Sequence, residues 1–111
     1  MEVKPEMGTM YTVCKVDQLP EGQSGVITVH NKPIAVFRVN GRYFAIDDTC
    51  PHMGASLSGG MVEEGVVTCP WHYWRFRLQD GAWDDNPKIK VGCYPVHVIG
   101  DLIQIEMEEV K

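Results

Sequence analysis

The sequence predicts an all-β domain, a sandwich or small barrel of short antiparallel strands. Three observations predict it. No stretch of the 111 residues sustains a 3.6-residue apolar period. Apolar and polar residues instead alternate in short runs, the pattern of half-buried strands. Eleven glycines and seven prolines cut those runs at close intervals, as turns between many short strands require.

The elements follow in order. Residues 10–16 form a first strand. Residues 25–30 and 33–39 are the next two, joined through the polar His30-Asn31-Lys32. Asn40-Gly41 is a two-residue signal for a type I′ hairpin turn, whose central positions both need positive φ, so Arg42–Asp47 pairs back. Glu63-Glu64-Gly65 marks another turn ahead of Val66–Thr68. Residues 74–78 and 82–84 flank Gln79-Asp80-Gly81, and Val96–Ile99 and Leu102–Met107 flank Gly100-Asp101. The acidic run Glu106-Met107-Glu108-Glu109 reads as a solvated tail. No internal repeat, linker or low-complexity segment interrupts the chain, and its length fits one domain, residues 1–111.

Four residues carry the chemistry. Cys50-Pro51-His52 offers a thiol and an imidazole one residue apart, and Cys69-Pro70-Trp71-His72 offers the same pair two residues apart. Residues 53–68 separate the two groups. Two thiols and two imidazoles in two short loops are candidate metal ligands. Each cysteine is followed by a proline, which fixes φ and stiffens the bend that carries the sulfur. Each loop also follows a strand, Arg42–Asp47 or Val66–Thr68, so the loops can stand side by side at one end of the sheets.

Cys50-Pro51-His52-Met53-Gly54-Ala55-Ser56-Leu57, with Cys69-Pro70-Trp71-His72, resembles the signature of the Rieske [2Fe–2S] family. Trp74-Arg75-Phe76 and Gly81 agree with its flanks, and the likeness extends loosely through Tyr94-Pro95-Val96 and residues 102–105. The resemblance implies a Rieske-like sandwich of small antiparallel sheets with an inserted cluster-binding subdomain at about residues 48–76. It implies one [2Fe–2S] cluster, with Cys50 and Cys69 on one iron and His52 and His72 on the other. Such a mixed donor set raises the potential, because an added electron enters a neutral cluster and not a dianion. Rieske centres span about −150 to +300 mV, against about −400 mV for plant-type ferredoxins.

High-potential members of the family add a cysteine to each loop, and they place a serine and a tyrosine after the second histidine that donate hydrogen bonds to sulfur. Here the corresponding positions are Met53–Ala55 and Trp71 for the thiols, and Trp74 and Phe76 for the donors; Phe76 has no hydrogen to give. The expected potential is therefore in the lower half of the range, as in ferredoxins. The family usually has glycine after the second histidine, whereas this chain has Tyr73, a side chain ill suited to positive φ. Tyr73 either points to solvent or shapes a docking surface beside His72. In the segment Asp84-Asp85-Asn86-Pro87, Pro87 either shields the cluster or belongs to an ordinary turn.

Charge and composition narrow the partners. Net charge is −5 and the pI about 5.2, which argues against nucleic acid and suits a basic docking patch on a redox partner. No run approaches the roughly 18 apolar residues of a membrane span, and the polar start Met1-Glu2-Val3-Lys4 lacks a signal-peptide core, so the expectation is a cytoplasmic protein. Cys14 and Cys93 read as small buried hydrophobes. His30 and His97 read as exposed, Trp74 and Trp83 as core, and Trp71 as a residue that caps the cluster or lines a docking surface.

The resemblance implies an electron carrier, not an enzyme: a Rieske-type ferredoxin between a flavin-dependent reductase and a terminal oxygenase. The alternative it leaves open is the small subunit of an NAD(P)H-dependent nitrite reductase, with a large subunit as partner. The donor set alone also allows a structural Cys2His2 zinc domain.

Overall fold

The computed structural model describes residues 9–50, 54–70 and 73–107. His52, His72, Pro51, Met53 and Trp71 lie outside the described residues, as do Glu108 and Glu109. Twelve strands run in chain order: β1 Thr9–Lys15, β2 Ser24–Val29, β3 Lys32–Val39, β4 Arg42–Asp47, β5 Met61–Glu63, β6 Val66–Thr68, β7 Arg75–Arg77, β8 Ala82–Trp83, β9 Asn86–Lys90, β10 Cys93–Tyr94, β11 Val96–Ile99 and β12 Leu102–Met107. They form three antiparallel sheets, β1-β12-β11, β10-β4-β3-β2 and β5-β6-β7-β8-β9.

The middle sheet is covered on both faces, and its sequence says why. Strand β3 holds Ile34-Ala35-Val36-Phe37, an uninterrupted apolar run whose members are all at most 1% exposed. Alternate side chains leave a strand on opposite faces. Ile34 and Val36 join Leu19, Val29, Ala45, Ile103, Ile105 and Met107 in one core, against the β1-β12-β11 sheet. Ala35 and Phe37 join Ile46, Leu57, Val67, Phe76 and Leu78 in a second, against the five-stranded sheet. The second core also contains Cys50 and Cys69. Burying one large apolar side chain of this kind contributes about 1.5–3 kcal/mol.

The turns behave as their residues dictate. Asn40 and Gly41 both take positive φ, 54° and 76°, and the β3–β4 hairpin closes with Val39 opposite Arg42. The Glu21 carboxylate accepts from the N–H groups of both turn residues. His30-Asn31 makes a turn of the same kind, at φ 54° and 64°, so Lys32 belongs to β3 and not to the connection. Glu64-Gly65 is another, at 54° and 77°. A register shift between Thr12 and Cys14 bulges β1 against β12.

Three local expectations are corrected. Pro87 sits in β9, an edge strand exposed along its whole length, where a missing N–H costs nothing. Glu106 and Met107 finish β12, with Met107 buried at 8% exposure, because its alternation carries it back onto the first core. Cys93 is exposed, since β10 is an edge strand of only two residues, and its thiol donates to the carbonyls of Leu78 and Gln79.

Candidate cluster-binding site

Cys50 and Cys69 stand at the mouths of two tight loops. The first loop follows β4. The Cys50 N–H donates to the Ala55 carbonyl at 2.9 Å, and the Gly54 N–H donates to the Cys50 carbonyl at 2.7 Å. Gly54 takes φ 76°, a conformation that suits glycine. Thr49 and Ser56 bridge across the base of the loop. The second loop is the tip of the β6–β7 hairpin, where the Cys69 N–H donates to the Trp74 carbonyl at 2.6 Å.

Both cysteines are fully buried, at 0% exposure. They come from strands of different sheets and share one core. Two thiols held in one core fit a soft metal centre, because thiolate is a strong ligand for iron and zinc. Among the described residues no group of three His, Cys, Asp or Glu gathers, so the described share of the site is the two sulfurs. The structure brings Cys50 and Cys69 together; His52 and His72, the other predicted ligands, fall outside the described residues.

Around the loops the predicted residues sort clearly. Tyr73 does adopt positive φ, 61°, and its side chain is 76% exposed. Trp74 and Trp83 are partly buried against the core and stack at 3.7 Å between centroids with 3° between planes. Phe76 is fully buried. His30 is exposed and hydrogen-bonded to the Tyr11 hydroxyl; His97 is exposed beside Glu106 at 2.9 Å. Neither cysteine outside the loops has thiolate character. Partial burial pushes the Cys14 thiol up, with Asp17 adding; Cys93 is exposed as a residue, but its sulfur is shielded against Leu78 and Gln79, and that desolvation pushes it up, with Asp80 adding.

Sequence reasoning missed the clamp on the first loop. Asp48, two positions before Cys50, is buried and accepts from the Ser56 hydroxyl at 2.6 Å and the Ser58 N–H at 2.8 Å. The signal was available: an aspartate ahead of the cysteine, then a Ser-x-Ser pair just past the loop.

The profile of the Rieske [2Fe-2S] domain matches residues 9–95 of this chain. The chain belongs to the Rieske [2Fe-2S] family. It is 38% identical over 101 residues to the 3-phenylpropionate/cinnamic acid dioxygenase ferredoxin subunit of Escherichia coli (strain K12), covering 88% of this chain and 93% of that one. Among solved structures, the ferredoxin of carbazole 1,9a-dioxygenase from Nocardioides aromaticivorans IC177 superposes with a TM-score of 0.80 at 31% identity, covering 88% and 97% of the two chains. A protein assigned as the NADH-dependent nitrite reductase small subunit of Mycobacterium tuberculosis superposes with a TM-score of 0.86 at 28% identity, covering 94% and 99%. The cofactor of this Rieske domain is a [2Fe–2S] cluster. No helix among the described residues is long and apolar enough to cross a membrane.

Proposed function

We propose that this Rieske domain is a ferredoxin that carries single electrons from a flavin-dependent reductase to a terminal oxygenase. Cys50 and Cys69 would hold one iron of the cluster, and His52 and His72 the other. When bound, the cluster takes up one electron and gives one up. The chain's own residues supply the rest: an apolar core around the sulfurs and a net charge of −5 for encounter with a basic patch.

The observation that carries this reading is the pair of fully buried cysteines at two loop mouths in one core. The ferredoxin relatives support the oxygenase as partner. The test is iron and acid-labile sulfide on anaerobically purified protein, with an EPR spectrum after dithionite reduction. Two irons, two sulfides and a rhombic signal are expected, all lost in Cys50→Ser and Cys69→Ser. Zinc without sulfide, persisting through attempted reconstitution, would overturn the reading.

A second reading, the small subunit of an NAD(P)H-dependent nitrite reductase, is favoured by the 0.86 superposition. Reoxidation of the reduced protein separates the two. A ferredoxin is expected to pass its electron to an aromatic-ring oxygenase, and a reductase subunit to remain bound to a sirohaem-containing large subunit.

A further inference from the structure

Asp48 is the one buried polar or charged residue among those described, at 6% exposure. Taking a carboxylate out of water is costly unless specific groups hold it. Here the groups are neutral. The Ser56 hydroxyl donates to Oδ2 and the Ser58 N–H to Oδ1. Among the described residues no Lys, Arg or His pairs with it. Its main chain is held as well: its N–H donates to the Pro33 carbonyl at 3.0 Å and its carbonyl accepts from the Leu57 N–H at 2.6 Å.

Asp48 thus closes the segment that carries Cys50 from both ends. Two trans peptide units put its Cα at most about 7 Å from that of Cys50. A buried carboxylate two residues from a ligand, with no cation against it among the described residues, opposes any further negative charge on neighbouring groups. A clamp could have been built from a neutral side chain. The structure uses a charged one.

We propose that Asp48 is a positioning residue with a second effect: it fixes the first ligand loop, and its charge, which no described cation offsets, holds the cluster's reduction potential down. This rests on the reading of Cys50 as a cluster ligand. The informative variant is Asp48→Asn. Its Oδ1 can still accept from the Ser58 N–H. Its amide can donate to the Ser56 oxygen, whose hydroxyl can turn to Ser58 Oγ, 2.9 Å away. The clamp is kept and the charge removed. Ser56→Ala is the counterpart: it removes one donor and keeps the charge.

The experiment is an anaerobic redox titration of the holoprotein followed by visible circular dichroism, with iron and sulfide measured on every sample. The Asp48→Asn midpoint is expected to rise beyond the scatter of repeat titrations, while Ser56→Ala does not rise. An unchanged midpoint in a fully loaded Asp48→Asn overturns the inference. Should Asp48→Asn not load, Asp48→Thr, whose hydroxyl can meet the Ser58 N–H, is read in its place. If neither neutral variant loads a cluster while Ser56→Ala does, the carboxylate is a folding group only and the inference fails. A wild-type protein without iron and sulfide would refute the cluster reading itself, a different failure.

Discussion

Replacing Gly60 by alanine is expected to weaken the joint between the two ligand loops, and its neighbour provides the control. Gly60 lies in extended backbone, φ −83° and ψ 170°, which any residue adopts. Its requirement for glycine is therefore purely steric. A Cβ there would meet the Thr68 carbonyl oxygen at 2.1 Å, the Thr68 carbonyl carbon at 3.1 Å and Val67 Cγ2 at 3.1 Å. The obstacle is backbone, one residue from Cys69, so no side chain can swing aside. Overpacking typically costs about 1–3 kcal/mol, and a rigid backbone atom puts this case at about 3. At about 4–8 °C per kcal/mol for a domain of this size, the melting temperature falls by roughly 12–24 °C. A Cβ on Gly59 meets nothing within 4 Å, so Gly59→Ala is expected within about 0.5 kcal/mol of wild type. The assay is thermal loss of near-UV and visible circular dichroism in both holoproteins. Equal melting of Gly60→Ala and wild type, or equal loss in both variants, would refute the close-approach argument.

Tyr73→Gly relieves a bulky residue of positive φ where the side chain buries little, and is expected to stabilise by about 1 kcal/mol, read by urea denaturation; a loss would mean that Tyr73 makes contacts worth more than its strain. Tyr94→Phe removes the hydroxyl that donates to Asp47 at 2.5 Å and should cost about 1.5 kcal/mol at neutral pH. The same hydroxyl sets a pH dependence. Burial, then the Asp47 hydrogen bond, raise Tyr94 above its ordinary 10.0, and the Tyr94 hydrogen bond raises Lys32 above 10.5. The fold therefore favours the protonated forms: their stabilisation is complete below the ordinary values and is lost as pH rises through the folded ones. Stability of wild type should fall above about pH 10, and less steeply in Tyr94→Phe; identical slopes would exclude Tyr94 as the source. The wild-type midpoint is expected in the lower half of the Rieske range, below roughly +75 mV, because the fully buried Phe76 offers no donor. Phe76→Tyr should raise it if the new hydroxyl reaches sulfur, and a wild-type value above roughly +75 mV would sink the argument.

What the sequence made legible depended on whether a residue carries its own signal. Asn40-Gly41 does, because positive φ at both positions leaves few alternatives, and the hairpin formed as expected. Cys50 and Cys69 stand out in the sequence as thiols beside imidazoles, and the structure buries both in one core. Strands β5, β9 and β10 do not. β5 is three residues long and β10 only two, and all five of the residues in β9 are exposed. Their identity as strands comes from the neighbour that pairs with them, which no local pattern records. Cys93 was misplaced for the same reason: an apolar residue type in a strand predicts burial only when something covers that strand.

The two cysteines share one core because of packing between sheets, not because of their spacing. β4 belongs to the middle sheet and β6 to the five-stranded one, and no ladder joins them. What joins them is the shared core, in which Ala35, Phe37 and Ile46 from one sheet face Val67, Phe76 and Leu78 from the other side. A cavity in that core would therefore move the sulfurs relative to each other without touching either loop. Within each loop, by contrast, short-range hydrogen bonds fix the cysteine: Gly54 to Cys50, Ala55 to Cys50, Trp74 to Cys69. Loop chemistry is local and was readable. The distance between the loops is a property of the core. Asp48 belongs to both levels, since it binds the loop through Ser56 and Ser58 and binds β3 through the Pro33 carbonyl. A buried carboxylate at that junction couples the shape of the site to the middle sheet, and Asp48→Asn, which keeps the clamp, reads its charge apart from its position.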